Sequence, residues 1–189
     1  MNVDIITSLL DNFFFPVIDS RMVYPVLLCF ILITAVLFYM SKMDITYREI
    51  PNIWVPIVLW IPGLFCAYQI YGISFDFFVG FFFLMIFFWV LQFLCDLILN
   101  KDKPEDQCQV YVGGADILCA PLYTLWFGAG IIVFLGIFLL VLIIVNRAPV
   151  IKRKLDDLCV RKEMVKYDYI PLLACLQVTY CIALLLYLL

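Results

Sequence analysis

From Gly113 to Val145 the chain runs for 33 residues with a single charged side chain, Asp116. As one helix at 1.5 Å per residue this stretch is about 50 Å long, against a bilayer hydrocarbon core of about 30 Å. It is too long for one crossing and short for two full ones. Gly128-Ala129-Gly130 is the place within it where the backbone turns most easily. Further apolar segments of spanning length occur at about 22–41, 52–72, 74–99 and 169–189. With 67% hydrophobic and 14% charged residues and a mean hydropathy of +1.11, a soluble domain of this size has no interior large enough to hide the apolar surface. The solvent for most of the chain is lipid.

Positive charge decides between one crossing and two. If 113–145 crosses twice, the polar loops 42–51, 100–112 and 146–168 all face one side, and together they hold all of the 12 Lys and Arg residues except Arg21. A single crossing would set the seven in 146–168 against the four in the earlier loops. The bias of basic residues toward the cytoplasm therefore predicts an all-α, polytopic membrane protein with about six transmembrane helices, three cytoplasmic loops and both termini outside. The span from about 116 to 127 must then be short, with its first residue in a thinned or water-filled part of the membrane. Residues 1–189 read as one membrane-embedded domain. Residues 1–21 contain Asp4, Asp11 and Asp19 but only one basic residue, which does not fit a secretory signal. Ile5, Ile6, Leu9, Leu10, Phe13 and Phe14 recur there at helical spacing, predicting an amphipathic helix on the membrane surface. The basic segment 146–168 marks topology and meets anionic lipid.

The residue inventory narrows the chemistry. There is no histidine, so neither a Ser-His or Cys-His nucleophile nor an HExxH metal site can be built. None of the eight cysteines forms a CxxC pair, and most lie in apolar runs as small hydrophobes. No metal, cofactor or nucleic-acid partner is expected at a net charge of -3 with no basic tail. Carboxylates remain as the acid/base groups.

Two stretches depart from the apolar background, each at a cytoplasmic span boundary. The first, Asp44-Ile-Thr-Tyr-Arg48-Glu-Ile-Pro51-Asn52, follows the first span; the second, Gly113-Gly114-Ala115-Asp116, precedes the fourth. An acid close to the bilayer is costly and is a functional candidate by default. Small residues before Asp116 let another backbone approach, and a carboxylate opening a helix is stabilised by its N-terminus. Each stretch also has an ordinary reading: Asp116 as a helix cap after a glycine turn, Asp44 and Arg48 as juxtamembrane charges, Pro51-Asn52 as a helix start. Asp96, near the end of the third span, reads as structural and interface-facing.

Taken together, the two stretches resemble the type IV prepilin peptidases and archaeal preflagellin peptidases, intramembrane aspartyl proteases of the GxGD class. Asp44, Arg48, Ile50, Pro51 and Asn52 match that family's first motif; Gly113, Gly114 and Asp116 match its second, with Ala115 where many members have Gly. Ile170-Pro171-Leu-Leu-Ala174 is similar to its C-terminal signature. The resemblance implies a catalytic pair, Asp44 and Asp116, that shares one proton near neutral pH, activates a water and polarises the scissile carbonyl. It implies a prepilin-like or preflagellin precursor as substrate, cut between its short basic leader and its hydrophobic helix at the cytoplasmic face. Glu49, Asp102, Glu105 and Asp106 are placed to attract that leader. Bacterial members that also N-methylate carry a large CxxC-bearing insertion, which this chain lacks, so peptidase activity without methyltransferase activity is expected. The alternative is a small ion- or proton-coupled transporter using its embedded carboxylates, although such acids tend to sit near the midplane between repeats. A non-catalytic membrane adaptor is a third reading. The oligomeric state stays open.

Overall fold

The computed structural model describes residues 21–48, 52–99, 101, 112–160 and 170–188. Among them every regular element is helical: α1 (Val23–Tyr47), α2 (Trp54–Tyr71), α3 (Phe75–Leu99), α4 (Gly114–Thr124), a 3-10 turn (Gly128–Gly130), α5 (Ile131–Arg147), α6 (Pro149–Leu158) and α7 (Leu172–Leu188). The expected surface helix at 1–20 lies outside the described residues.

The helices are apolar around their whole circumference, as suits elements that pack on one side and meet lipid on the other. Leu28, Ile61 and Ile132 point outward, while Phe81, Phe134, Phe138, Tyr123 and Tyr180 fill the centre. The centre of the fold is α4. Every residue from Cys119 to Phe127 is buried, with α2, α3 and α7 packed around the helix. A helix of 11 residues reaches only about 16 Å, far short of the hydrocarbon thickness. From Cys119 onward protein surrounds it instead, so its second half and the turn after it are shielded from lipid.

The 113–145 stretch breaks at Gly128–Gly130, where the glycines were expected to turn the chain. Gly128 has φ +48°, and the ring of Tyr71 lies directly against it. Gly80 on α3 backs onto the same turn: a Cβ there would sit 3.1 Å from the Gly128 Cα and 3.2 Å from its nitrogen. Two glycines thus let helix and turn approach backbone to backbone.

Three helices among the described residues, α1, α2 and α3, are long and apolar enough to cross a membrane, or four if α5 and α6 count as one bent span. This corrects the expectation of about six transmembrane helices: six apolar segments are helical where expected, but α5 and α7, as well as α4, which was expected to be short, fall below the length of a full crossing. Two local expectations also change. The first helix runs on to Tyr47, so Asp44 lies inside its last turn rather than in a loop after it. The segment after Arg147 is helical in α6, at 86° to α5. With Lys152, Arg153, Lys154, Asp156 and Asp157 beside Ile151, Leu155 and Leu158, α6 has the pattern of a helix lying along the interface.

Candidate active site between α1, α4 and α7

Asp44 is buried, and its carboxylate is satisfied by a different helix. Oδ2 accepts the backbone N–H groups of Leu173 at 3.0 Å and Ala174 at 3.4 Å. These belong to the first turn of α7, whose orphan amides need an acceptor. Pro171, just before the helix, has no polar side chain to offer, so Asp44 caps α7 from α1. The arrangement accounts for the Ile170-Pro171-Leu-Leu-Ala174 segment: the proline presets the entry to the helix, and small or aliphatic residues leave the amides accessible. The partial positive charge of the helix N-terminus faces the carboxylate.

Asp116 sits at the third position of α4 and is half-buried. Its Oδ2 accepts the Gly113 N–H at 2.9 Å, the reach-back of a capping box. A Cβ on Gly113 would lie 2.9 Å from that same oxygen, so residue 113 must be glycine for the carboxylate to hold its place. Nothing lies within 4 Å of the corresponding position on Gly114, which is exposed. The segment before Gly113 is tied down in turn: Gln92 Oε1 on α3 accepts the Val112 N–H at 2.8 Å, and Gln92 Nε2 donates to Asp96 at 2.9 Å. Asp96 itself is exposed, in keeping with a structural role.

The fold brings the two acids together. The Asp44 charge lies within electrostatic range of Asp116, and both act electrostatically on Cys119, Tyr123 and Cys175 around them. On each acid one oxygen is engaged by backbone amides, and the other has no hydrogen bond among the described residues. Two carboxylates so placed can divide the work of a proton donor and a proton acceptor on a molecule held between them.

Arg48 ends α1 in the left-handed conformation, φ 55°, uncommon for a residue with a side chain. Its N–H closes the helix on the Asp44 carbonyl at 2.9 Å. The side chain is 3% exposed; Nη2 meets Asp156 of α6 at 3.1 Å, and the cation acts electrostatically on Asp44. Nε and Nη1 are buried and unpartnered among the described residues. Asn52 has the local role of a helix start, its Oδ1 accepting the Trp54 N–H at 2.9 Å, and it is exposed. Pro51, Glu49, Asp102, Glu105 and Asp106 lie outside the described residues.

Ser41 and Tyr123, which motif reading passes over, complete the site. Ser41 Oγ donates to the Leu173 carbonyl at 3.2 Å and lies 2.9 Å from the Tyr123 hydroxyl. One serine hydrogen cannot serve both, so Tyr123 donates to Ser41. Thr34 and Tyr180 make a similar pair at 3.1 Å one layer deeper, and the two tyrosine rings meet edge to face. A signal for these residues was present: Thr34, Ser41 and Asp44 share a face of α1, and Asp116 and Tyr123 a face of α4, all within apolar helices.

Comparison with protein-family models, with curated proteins and with solved structures finds no match to this chain.

Proposed function

We propose that the protein is a membrane aspartyl endopeptidase that removes the short basic leader from prepilin-like or preflagellin precursors. The observation that carries this reading is the placing of Asp44 and Asp116, 72 residues apart in sequence, within electrostatic range of each other on helix faces joined by the Ser41–Tyr123 hydrogen bond in an otherwise apolar bundle. One carboxylate, ionised, takes a proton from water as the hydroxide adds to the peptide carbonyl; the other, protonated, polarises that carbonyl and gives its proton to the departing amine, so the two acids end with exchanged protonation states. No covalent intermediate is required. Buried in protein on three sides, α4 acts as a short passage that holds Asp116 at the level of Asp44. On this reading α1, α2, α3, α4, α5 and α7 make six passages, the site faces the cytoplasm, and no methyl transfer accompanies cleavage.

The test is cleavage of tagged precursors by membranes containing the wild type, Asp44→Asn or Asp116→Asn. Cleavage at the leader junction is expected in the wild type. Each variant should be slower by about 10²–10⁴-fold, the usual worth of a positioned acid or base. Full activity in either normally expressed variant would remove the pair, and no cleavage across several pilin and archaellin precursors would remove the substrate class.

A further inference from the structure

Near the C-terminal end of α3, Gln92 and Asp96 lie one turn apart among the exposed apolar residues Leu91, Phe93, Leu94 and Leu97. At this spacing a glutamine and an aspartate ordinarily hydrogen-bond along the helix and stabilise it slightly. Here Gln92 also reaches off the helix. Its Oε1 accepts the Val112 N–H at 2.8 Å while its Nε2 donates to Asp96 Oδ1 at 2.9 Å. Val112 is buried, and a buried N–H without an acceptor is costly. The two partners also fix which way the amide is turned. A carboxylate only accepts and a backbone N–H only donates, so Nε2 must face Asp96 and Oε1 must face Val112.

Val112 immediately precedes the anchor of Asp116. The next amide along the chain, that of Gly113, donates to Asp116 Oδ2 at 2.9 Å. Peptide groups are planar, so only the two torsions of Val112 separate the N–H held by Gln92 from the N–H that holds Asp116. The Asp116 carboxylate thus takes its bearing from α3, through a chain of hydrogen bonds that starts at Asp96 and passes through Gln92. A pair that merely stabilised its own helix would have no need of the contact with Val112.

We infer that Gln92, oriented by Asp96, is a positioning residue for Asp116: it fixes the Val112 N–H, and through it the Gly113 amide that sets where the Asp116 carboxylate points. The inference rests on the peptidase reading and gives that site a support lying outside both of its motifs.

The experiment compares the wild type with Gln92→Met, Gln92→Glu and the double variant Gln92→Glu/Asp96→Asn, each purified in detergent and assayed on a tagged precursor. Methionine keeps the length of the side chain and removes the acceptor. Gln92→Met should lower kcat about 10–100-fold at unchanged KM, the effect of a displaced catalytic group. Glutamate still accepts from Val112 but sets a like charge against Asp96, and Asp96→Asn then returns a donor to it. The expected order of kcat is therefore wild type, double variant, Gln92→Glu and, slowest, Gln92→Met. Hydrogen exchange, read by mass spectrometry, should be faster at both the Val112 and Gly113 amides in Gln92→Met than in the wild type.

Wild-type kcat in Gln92→Met, or a Gln92→Glu variant as slow as Gln92→Met, would overturn the inference and leave the peptidase reading standing. Unchanged exchange at Gly113 in Gln92→Met sinks it whether or not the precursor is cleaved. A wild type that cleaves no precursor, with faster exchange at both amides in Gln92→Met, removes the peptidase reading and keeps Gln92 as the support of Asp116.

Discussion

Inside an apolar bundle a hydroxyl is held by its accounting of donors and acceptors. Ser41 gives its hydrogen to the Leu173 carbonyl and receives that of Tyr123, and both side chains are buried. Removing one partner is therefore not equivalent to removing the other. Tyr123→Phe takes away a donor and leaves Ser41 still donating, which is cheap. Ser41→Ala leaves the Tyr123 hydroxyl buried with nowhere to donate and should cost about 1–2 kcal/mol. Adding Tyr123→Phe to Ser41→Ala then removes the stranded group, so the double variant should be no less stable than Ser41→Ala. Unfolding in mixed detergent and dodecyl sulfate micelles measures all three. Losses in the double variant that equal the sum of the singles would dissolve the pairing. Arg48 shows the opposite accounting: two of its nitrogens are buried without partners in a strained backbone conformation, a cost met where a cation is held beside Asp44.

At the scale of helices, close approach is what positions Asp116. The turn at Gly128 lies on Gly80, and the segment before Gly113 hangs from Gln92, both on α3; α4 is thus fastened to one neighbour at each end. Gly80→Leu would push α3 away from backbone atoms that cannot yield as a flexible side chain can. It should lower stability by about 1–3 kcal/mol. Gly136→Leu, where nothing lies within 4 Å, should be close to neutral. Thermal midpoints of the purified protein in detergent distinguish the two, and equal shifts would refute the packing argument. Much of this element pattern was legible in the sequence, because long apolar runs and a Gly-Ala-Gly triplet leave few alternatives. The overrun of α1 to Tyr47 was not, since helix ends are decided by local capping and here by the left-handed Arg48. Nor was the capping of α7 by Asp44, which depends on two segments 129 residues apart and has no signature in either one. The motifs made Asp44 and Asp116 legible as candidates, and the Gly113 amide partner of Asp116 is local to its motif; only packing gives Asp44 its amide partners and brings the two acids near each other.

For the whole molecule, the question is how a chain with one 33-residue apolar stretch satisfies the bilayer. Crossing it once as a straight helix would overshoot the hydrocarbon by about 20 Å. The break at Gly128–Gly130 divides it instead into an 11-residue helix covered by protein and a 17-residue helix that presents Ile132, Val133, Leu140 and Ile143 outward. If α4 and α5 are two passages, the residues before α4 and after α5 emerge on the same side, with the basic residues of α6 on the side of Lys101. If they form one broken passage, α6 emerges opposite Lys101. Single cysteines replacing Lys101, Lys154 and Ser74, in a background where the native cysteines are changed to alanine or serine, separate these cases by labelling with a membrane-impermeant maleimide in intact cells and in inverted vesicles. Positions 101 and 154 should react only in inverted vesicles, and position 74, between α2 and α3, only in intact cells. Reaction of 154 from the side of 74 would make the apolar stretch a single passage. Arg48 and Asp44 would then have to meet Asp156 and the Leu173 amide across the thickness of the membrane. The Arg48–Asp156 pair and the Val160–Thr46 hydrogen bond hold α6 against the end of α1, which is the contact expected of two passages and not of one.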